Sequence, residues 1–371
     1  MSVQWLASPD GQSVIAALRG ADPLTARRRF PDLDPQLITA ALTQAKHRPD
    51  DFPLALVTPD GVQMATPAAV AVRRAQRLAD QGVERVVDAG CGIGMDAWAF
   101  LQAGLQVVAY ESDPYTAQIA TANLAGTGAD VINADVTTAS LPQGTLYVDP
   151  ARRRERRDVS GNALRINDPQ QWSPPWDWVM QQAADRPVVA RVRPGMRDTP
   201  PRAEWQCTSM GRRLVDATLW FPPLATTDRR ASVFDGQVWH ELTGPATATR
   251  VGAAGRYIID PDPAIVRAGL VSNLADLLHG HLLDEHLAFV SCDEAPPAWA
   301  GRAMRVQSEV PLKAISETAR RSGITSATVW ARGFERVPDI GLPEGAGAIV
   351  VLARTGTRRQ TRCWIGKRGG S

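Results

Sequence analysis

The stretch Val87-Asp88-Ala89-Gly90-Cys91-Gly92-Ile93-Gly94 constrains this chain more than any other. A short apolar run, Arg85–Asp88, enters a turn with glycine at alternate positions, and an apolar helical pattern, Met95–Ala103, follows at once. Glycine suits a place where a ligand approaches the backbone, because any side chain would block it, and where φ is positive. The same residues also fit a tight strand-to-helix connection that binds nothing. The period goes on switching downstream. Leu105–Tyr110 reads as a strand, Pro114–Ala125 as a helix, Asp130–Asn133 and Gly144–Val148 as strands, Trp176–Ala184 as a helix and Pro187–Val192 as a fifth strand. Strands alternating with helices predict an α/β fold with a parallel sheet covered on both faces.

Upstream, Ser13–Leu18, Asp34–Ala45 and Pro67–Ala79 carry apolar residues at helical spacing, with an Asp- and Pro-rich connector at Asp50–Pro59. Thr66-Pro67 is a helix start signal, Thr to cap free N–H groups and Pro at the first helical position. Past Gly195, the segments Glu204–Cys207, Leu214–Phe221 and Ala231–Phe234 look like strands or hairpins closing the sheet in antiparallel fashion. A Gly/Ala/Thr-rich linker, Thr243–Gly255, precedes a second α/β pattern: helix Pro263–His279, strand Leu287–Ser291, helix Leu312–Ser322 and strand Ala346–Ala353. The expected organisation is a helical region over 1–80, a central domain over 81–245 and a smaller module over 250–371.

Cys91, Cys207, Cys292 and Cys363 form no CxxC pair, which argues against a zinc site or disulfide framework and fits a reducing cytoplasm. The N-terminus carries no signal-peptide pattern, and the longest apolar runs fall far short of the roughly 20 residues that span a bilayer. No membrane partner is expected. His279, His281 and His286 lack further ligands, and no metal is expected. Net charge is only +2, but Arg354, Arg358, Arg359, Arg362, Lys367 and Arg368 crowd the end of the chain without an acid. Arg152, Arg153, Arg154, Arg156 and Arg157 form a second cluster, diluted by Glu155 and Asp158. Such runs fit a solvated face or contact with nucleic acid. Trp172, Trp176 and Trp178 follow that cluster; they fit core packing first, and base stacking second.

The ends of the strands carry the chemistry. A dinucleotide fingerprint would read G-x-G-x-x-G, but Met95 holds the place of its third glycine and an acid, Asp88, precedes the first glycine. That acid would repel a pyrophosphate and suits a ligand bearing an ammonium group, such as S-adenosylmethionine. Gly90, Gly92 and Gly94 would line its binding loop. Glu111, at the tip of the second strand, can take both ribose hydroxyls of a nucleoside; the alternative, helix capping, already falls to Asp113. Asp135, after the third strand, suits the adenine amino group or a plain surface loop. The fourth strand runs into Asp149-Pro150-Ala151-Arg152, at the carboxyl edge where α/β sheets bind ligands. Asp149 and Pro150 would offer carboxylate and carbonyl acceptors, and Arg152 could steer a phosphate or stack on a base. A strand-ending turn beside a solvated Arg run is the bland alternative.

These motifs resemble those of class I S-adenosylmethionine-dependent methyltransferases, and more narrowly of a bacterial group with a C-terminal THUMP-like domain. The matching residues are Thr58–Gly61, Gln63–Pro67, Asp88–Asp96, Asp149–Arg153, Ser173–Pro175, Arg193–Gly195, Glu204-Trp205, Leu219–Phe221 and Asp260–Pro263. They cover most of the chain from about residue 50. The resemblance implies a Rossmann-like methyltransferase sheet, a THUMP-like end, S-adenosylmethionine as cofactor and S-adenosylhomocysteine as product. It also implies RNA, ribosomal or transfer, as the partner and substrate, since THUMP domains bind RNA in tRNA-modifying enzymes. The Asp149–Arg152 turn further resembles that of uracil-C5 methyltransferases, which need a cysteine nucleophile. The fifth strand has none, and Ser291-Cys292-Asp293-Glu294 falls in the C-terminal module, so N-methylation of a base is preferred. Competing readings are a small-molecule or protein substrate, or a non-catalytic RNA-binding protein that retains S-adenosylmethionine.

Overall fold

The computed structural model describes residues 2–151, 153–157, 163–165, 168–196, 199–248, 250–356 and 360–369. The chain forms two compact units, Met1–Arg193 with Thr218–Leu224, and Pro194–Ala217 with Ala225–Ser371.

In the first unit helices come first: α1 (Ser2–Ala7), α2 (Pro9–Ala17), α3 (Pro23–Arg29), α4 (Pro35–His47), α5 (Pro59–Met64) and α6 (Ala68–Asp80). The expected alternation follows, with β1 (Arg85–Ala89), α7 (Met95–Gln102), β2 (Gln106–Glu111), α8 (Pro114–Asn123), β3 (Asp130–Asn133) and β4 (Thr145–Val148). A short antiparallel ribbon, β5 (Arg153–Arg157) with β6 (Ala163–Arg165), precedes α9 (Trp176–Asp185) and β7 (Val188–Arg191). The sheet runs β7-β4-β1-β2-β3, all parallel. Val86, Val87, Leu146 and Val148 are wholly buried, as strands covered on both faces require. The direction of winding reverses between β1 and β4, so their carboxyl ends flank the crevice where such sheets bind ligands.

Residues 2–80 share one core with this sheet. Leu6, Ile15, Leu18, Ile38, Leu54 and Leu56 pack in the cluster that holds Val86, Phe100, Val107 and Ile119. The short helices cannot bury their apolar faces alone. Asn123 fastens the connector, accepting from the Leu56 amide (2.8 Å) and donating to the carbonyls of Leu56 and Ile93 (both 2.9 Å). The cap expected of Thr66 does not form: Pro67 is the N-cap residue of α6 with no side-chain cap, and the Thr66 hydroxyl instead donates to Asp96 (2.7 Å).

Beyond β7 come β8 (Glu204–Met210) and β9 (Arg213–Trp220), the latter belonging to the first unit from Thr218 onward. Those last residues pair antiparallel with β7, through Val189 with Trp220 and Ala190 with Leu219. In the second unit β10 (Arg229–Phe234) lies parallel to β8, and β11 (Trp239–Gly244) antiparallel to β10.

The rest of the second unit is a seven-stranded sheet. It contains β12 (Tyr257–Pro261), β13 (His281–Asp284), β14 (Leu287–Cys292), β15 (Gly301–Val310), β16 (Ala327–Arg332), β17 (Glu344–Thr355) and β18 (Gln360–Gly369), in the order β13-β14-β12-β15-β18-β17-β16. Its α-helices are short. The helix expected over Pro263–His279 is two, α10 (Pro263–Ala268) and α11 (Val271–Leu277), broken where Gly269 takes φ +74°. The one expected over Leu312–Ser322 is a 3-10 turn leading into α12 (Ile315–Arg321).

Of the basic residues that crowd the end of the chain, Arg354 lies on β17 and Arg362, Lys367 and Arg368 on β18. That last strand is paired on both sides by β15 and β17, while Arg358 and Arg359 lie outside the described residues. Cys363, Trp364 and Ile365 are buried, while Arg362 spans to Glu309 through Nε (2.8 Å) and Nη2 (2.9 Å). The charges flank a centre buried on both faces, Cys363 to Gly366, and so stay at the surface at the two ends of an interior strand. Among the described residues no helix is long and apolar enough to cross a membrane. Trp364→Ala should therefore cost about 3–5 kcal/mol, as for a fully buried aromatic. Chemical denaturation would measure it, and a loss below about 0.5 kcal/mol, typical of surface sites, would contradict the interior strand.

Candidate functional site

The glycine loop leaves β1 and is pinned to β2. The amides of Gly90 and Cys91 both donate to the Tyr110 carbonyl (3.0 and 2.9 Å). Gly90, Gly92 and Gly94 all have positive φ. At Gly90 the value is +91°, so a side chain there would strain the turn, and its missing Cβ faces the Asp149 carbonyl at 3.8 Å. The loop thus runs beside the end of β4.

Glu111, at the tip of β2, braces that loop: Oε2 accepts from the Gly92 amide (3.0 Å) and Oε1 from the Asp113 amide (2.9 Å). Asp113 caps α8 through Thr116 as expected (2.7 Å). Asp135 is exposed, and its Oδ1 holds its own turn by accepting from the amide (2.9 Å) and hydroxyl (2.7 Å) of Thr137. Asp149 accepts from Arg191 Nη1 at 2.7 Å and remains one quarter exposed. Arg152 lies outside the described residues, and the side chains of the arginines that follow it are likewise not described. Trp172 and Trp176 are buried edge to face (6.1 Å between centroids), a packing pair.

Sequence reasoning missed the polar chain behind these residues. Arg74, on the otherwise apolar face of α6, is buried; it pairs with Asp96 and donates to the Tyr147 hydroxyl (2.8 Å). Thr66 donates to the other oxygen of Asp96 (2.7 Å) and accepts from Arg191 (3.3 Å), which also holds Asp149. The one available signal was a charged residue at Arg74 within the helical stripe Val70, Ala71, Ala75, Leu78.

Asp88 stands apart from this network. It is fully buried at the end of β1, and neither carboxylate oxygen has a hydrogen-bond partner. Burial pushes its carboxyl well above the ordinary value, and the carboxylates of Asp96, Asp149 and Glu111 push the same way against the opposing field of Arg74. A buried unpaired acid is costly unless a cation meets it. The ammonium and sulfonium of S-adenosylmethionine are such cations, so the residues present fit that cofactor.

The comparisons with known proteins agree. Two uncharacterized S-adenosylmethionine-dependent methyltransferases of Mycobacterium tuberculosis, from different strains, are each 31% identical over 296 residues, covering 76% of this chain and 79% of theirs. A candidate methyltransferase of Porphyromonas gingivalis W83, known from its crystal structure, superposes with a TM-score of 0.70 at 13% identity, over 96% of this chain and 97% of its own. That likeness is one of fold. No protein-family model matches the chain. The fold is that of a class I, Rossmann-like methyltransferase. The chain belongs to the S-adenosylmethionine-dependent methyltransferases, with S-adenosylmethionine as its cofactor.

Because the Asp88 carboxyl is raised in the folded state, stability is full below its unfolded value and is lost as pH rises through the folded one. Asp88→Asn should raise the melting temperature of the ligand-free protein at neutral and alkaline pH, with the gain shrinking toward acid. Identical melting profiles across pH would show that Asp88 is not an uncompensated charge.

Proposed function

We propose that this enzyme methylates a nitrogen of a base in ribosomal or transfer RNA. The observation that carries the reading is the Asp149-Pro150 corner. It follows β4 at the crevice, beside the glycine loop, and Arg191 holds the Asp149 carboxylate in place. An exocyclic amino group already has a lone pair. Asp149 Oδ and the Pro150 carbonyl, both acceptors, can orient its N–H groups, so the work of the chain is positioning and exclusion of water. When bound, S-adenosylmethionine would supply the electrophilic methyl and depart as S-adenosylhomocysteine, and the methylated nitrogen would release its extra proton to water.

The remaining roles follow the same logic. Asp88 receives the cofactor's ammonium. Gly90, Gly92 and Gly94 keep the backbone open to it. Glu111 takes the ribose hydroxyls, and Asp135 the adenine amino group through the oxygen its turn leaves over. Arg152 steers a phosphate of the substrate. Residues 250–371 take the part of a THUMP-like RNA-binding module, and the enzyme works in the cytoplasm.

The cysteines speak against uracil-C5 chemistry. Burial raises the thiols of Cys91, Cys207 and Cys292 above their ordinary values, keeping each protonated and unreactive. No cysteine stands between β7 and Gly195.

The test is transfer of radiolabelled methyl from S-adenosylmethionine to total RNA from a strain lacking the gene, beside a protein fraction. Asp149→Ala should lower RNA labelling by about a hundredfold or more, while calorimetry shows cofactor binding intact. Full activity in that variant would remove Asp149 from the mechanism. Label only in protein would replace RNA as the substrate.

A further inference from the structure

The Asp260-Pro261-Asp262-Pro263 segment has no part in the reading above, yet it gathers an unusual group of charges in the second unit. Asp260 is buried at the end of β12. Arg302, directly across from it on β15, donates Nε (3.0 Å) and Nη2 (2.5 Å) to Oδ2. Arg332, at the end of β16, donates Nε (3.2 Å) and Nη2 (2.7 Å) to Oδ1. Arg212, in the turn between β8 and β9, brings Nη2 to 3.4 Å of the Asp260 carbonyl and 3.6 Å of Oδ2. Three guanidinium groups thus meet one carboxylate. Asp262 also lies in the field of Arg212, but its Oδ1 is taken by the Ser209 hydroxyl (2.5 Å) and the Ala264 amide (2.8 Å). Counting both acids, three cations against two anions leave a positive excess.

A purely structural ion pair would need one arginine. Here two of the three are also held by aromatic rings, and the third is held in a strained backbone. Arg302 lies over the Trp330 ring (4.5 Å) and Arg332 over Phe289 (5.4 Å), so their planes are set and little rotamer freedom remains to lose. Arg212 sits at φ +62°, a left-handed conformation that costs a non-glycine residue roughly 1–2 kcal/mol, and its Nη1 is buried with no partner. The Asp260 clamp uses the Nε and Nη2 edges of Arg302 and Arg332, which leaves the Nη1 edge of each outside it. Their side chains, with that of Arg212, stay between 31% and 42% exposed, so solvent and solutes reach them.

We propose that Arg212, Arg302 and Arg332, arranged on Asp260, form a receptor for one phosphate group. Fixed guanidinium forks match phosphate oxygens in a way that mobile lysines do not. A bound phosphate would meet the excess charge and give the Nη1 donors of Arg302 and Arg332 acceptors. The phosphate comes from a phosphodiester of the RNA strand, which rests on the RNA reading above, or from a phosphorylated small substrate, which does not.

Two titrations of the full-length protein separate these sources. In the first, inorganic phosphate is exchanged for chloride at constant ionic strength while the melting temperature is followed. It should rise for the wild type and not for Arg302→Gln or Arg332→Gln. In the second, binding of a short single-stranded RNA is measured against salt. Loss of one phosphate contact should weaken binding several-fold and make the log–log salt slope shallower by about 0.7. If the glutamine variants do not fold, Arg302→Lys keeps the charge, loses the fork and is read in the same way. Phosphate stabilisation confined to the wild type with no RNA binding upholds the receptor and sinks the RNA reading. RNA bound and methylated equally by wild type and variants, with no phosphate effect, overturns the receptor and leaves the RNA reading standing.

Discussion

The carboxylates of Asp96, Asp149 and Glu111 bear on the buried carboxyl of Asp88 at the glycine loop, and their repulsion of that one group is the constraint that organises the site in the first unit. Like charges this close disfavour ionisation unless cations or N–H groups compensate them. Three are compensated by the protein. Asp96 has Arg74 and Thr66, Asp149 has Arg191, and Glu111 has two backbone amides. The fourth, Asp88, is left without a partner, and that vacancy of charge is what suits a cationic cofactor. Within that site α6, packed against α7, carries the buried guanidinium of Arg74 to Asp96, and breaking so deeply buried a pair costs about 3–5 kcal/mol.

The position of Asp149 follows from strand pairing. Val148 lies opposite Ala190 in the parallel register of β4 and β7, so the next residues along, Asp149 and Arg191, fall side by side at the carboxyl edge. Arg191 also reaches Thr66, which touches Asp96, so Asp149 and the helix that follows the glycine loop are joined through hydrogen bonds. A shift in either strand would misplace both. In the proposed reaction such an edge would hold a base amino group still.

The second unit uses charge differently. Its seven-stranded sheet curls until Trp330 and Arg332 of the edge strand β16 reach Arg302 on the central strand β15 and Asp260 and Phe289 on β12 and β14 beyond it. The curl brings together arginines that are far apart in sequence. Pairing with β15 and β17 also buries the centre of β18, at the end of the chain where basic residues crowd.

What the amino-acid order determined by itself was local and periodic. The alternation of strands and helices from Arg85 to Val192, the glycine loop, the Asp113 cap and the placing of Asp88, Glu111 and Asp149 at strand ends were all legible, because each depends on neighbours a few residues away. Tertiary structure decided the rest. Arg74 and Arg191 acquired their partners across 22 and 42 residues, Thr66 left its helix cap for Asp96 30 residues on, and β18 became interior by pairing with β15. The helices of residues 2–80 joined the sheet's core because their apolar faces had no other cover. Periodicity reports which face of an element is apolar, but the partner of a buried charge is chosen by whatever the folded chain brings beside it.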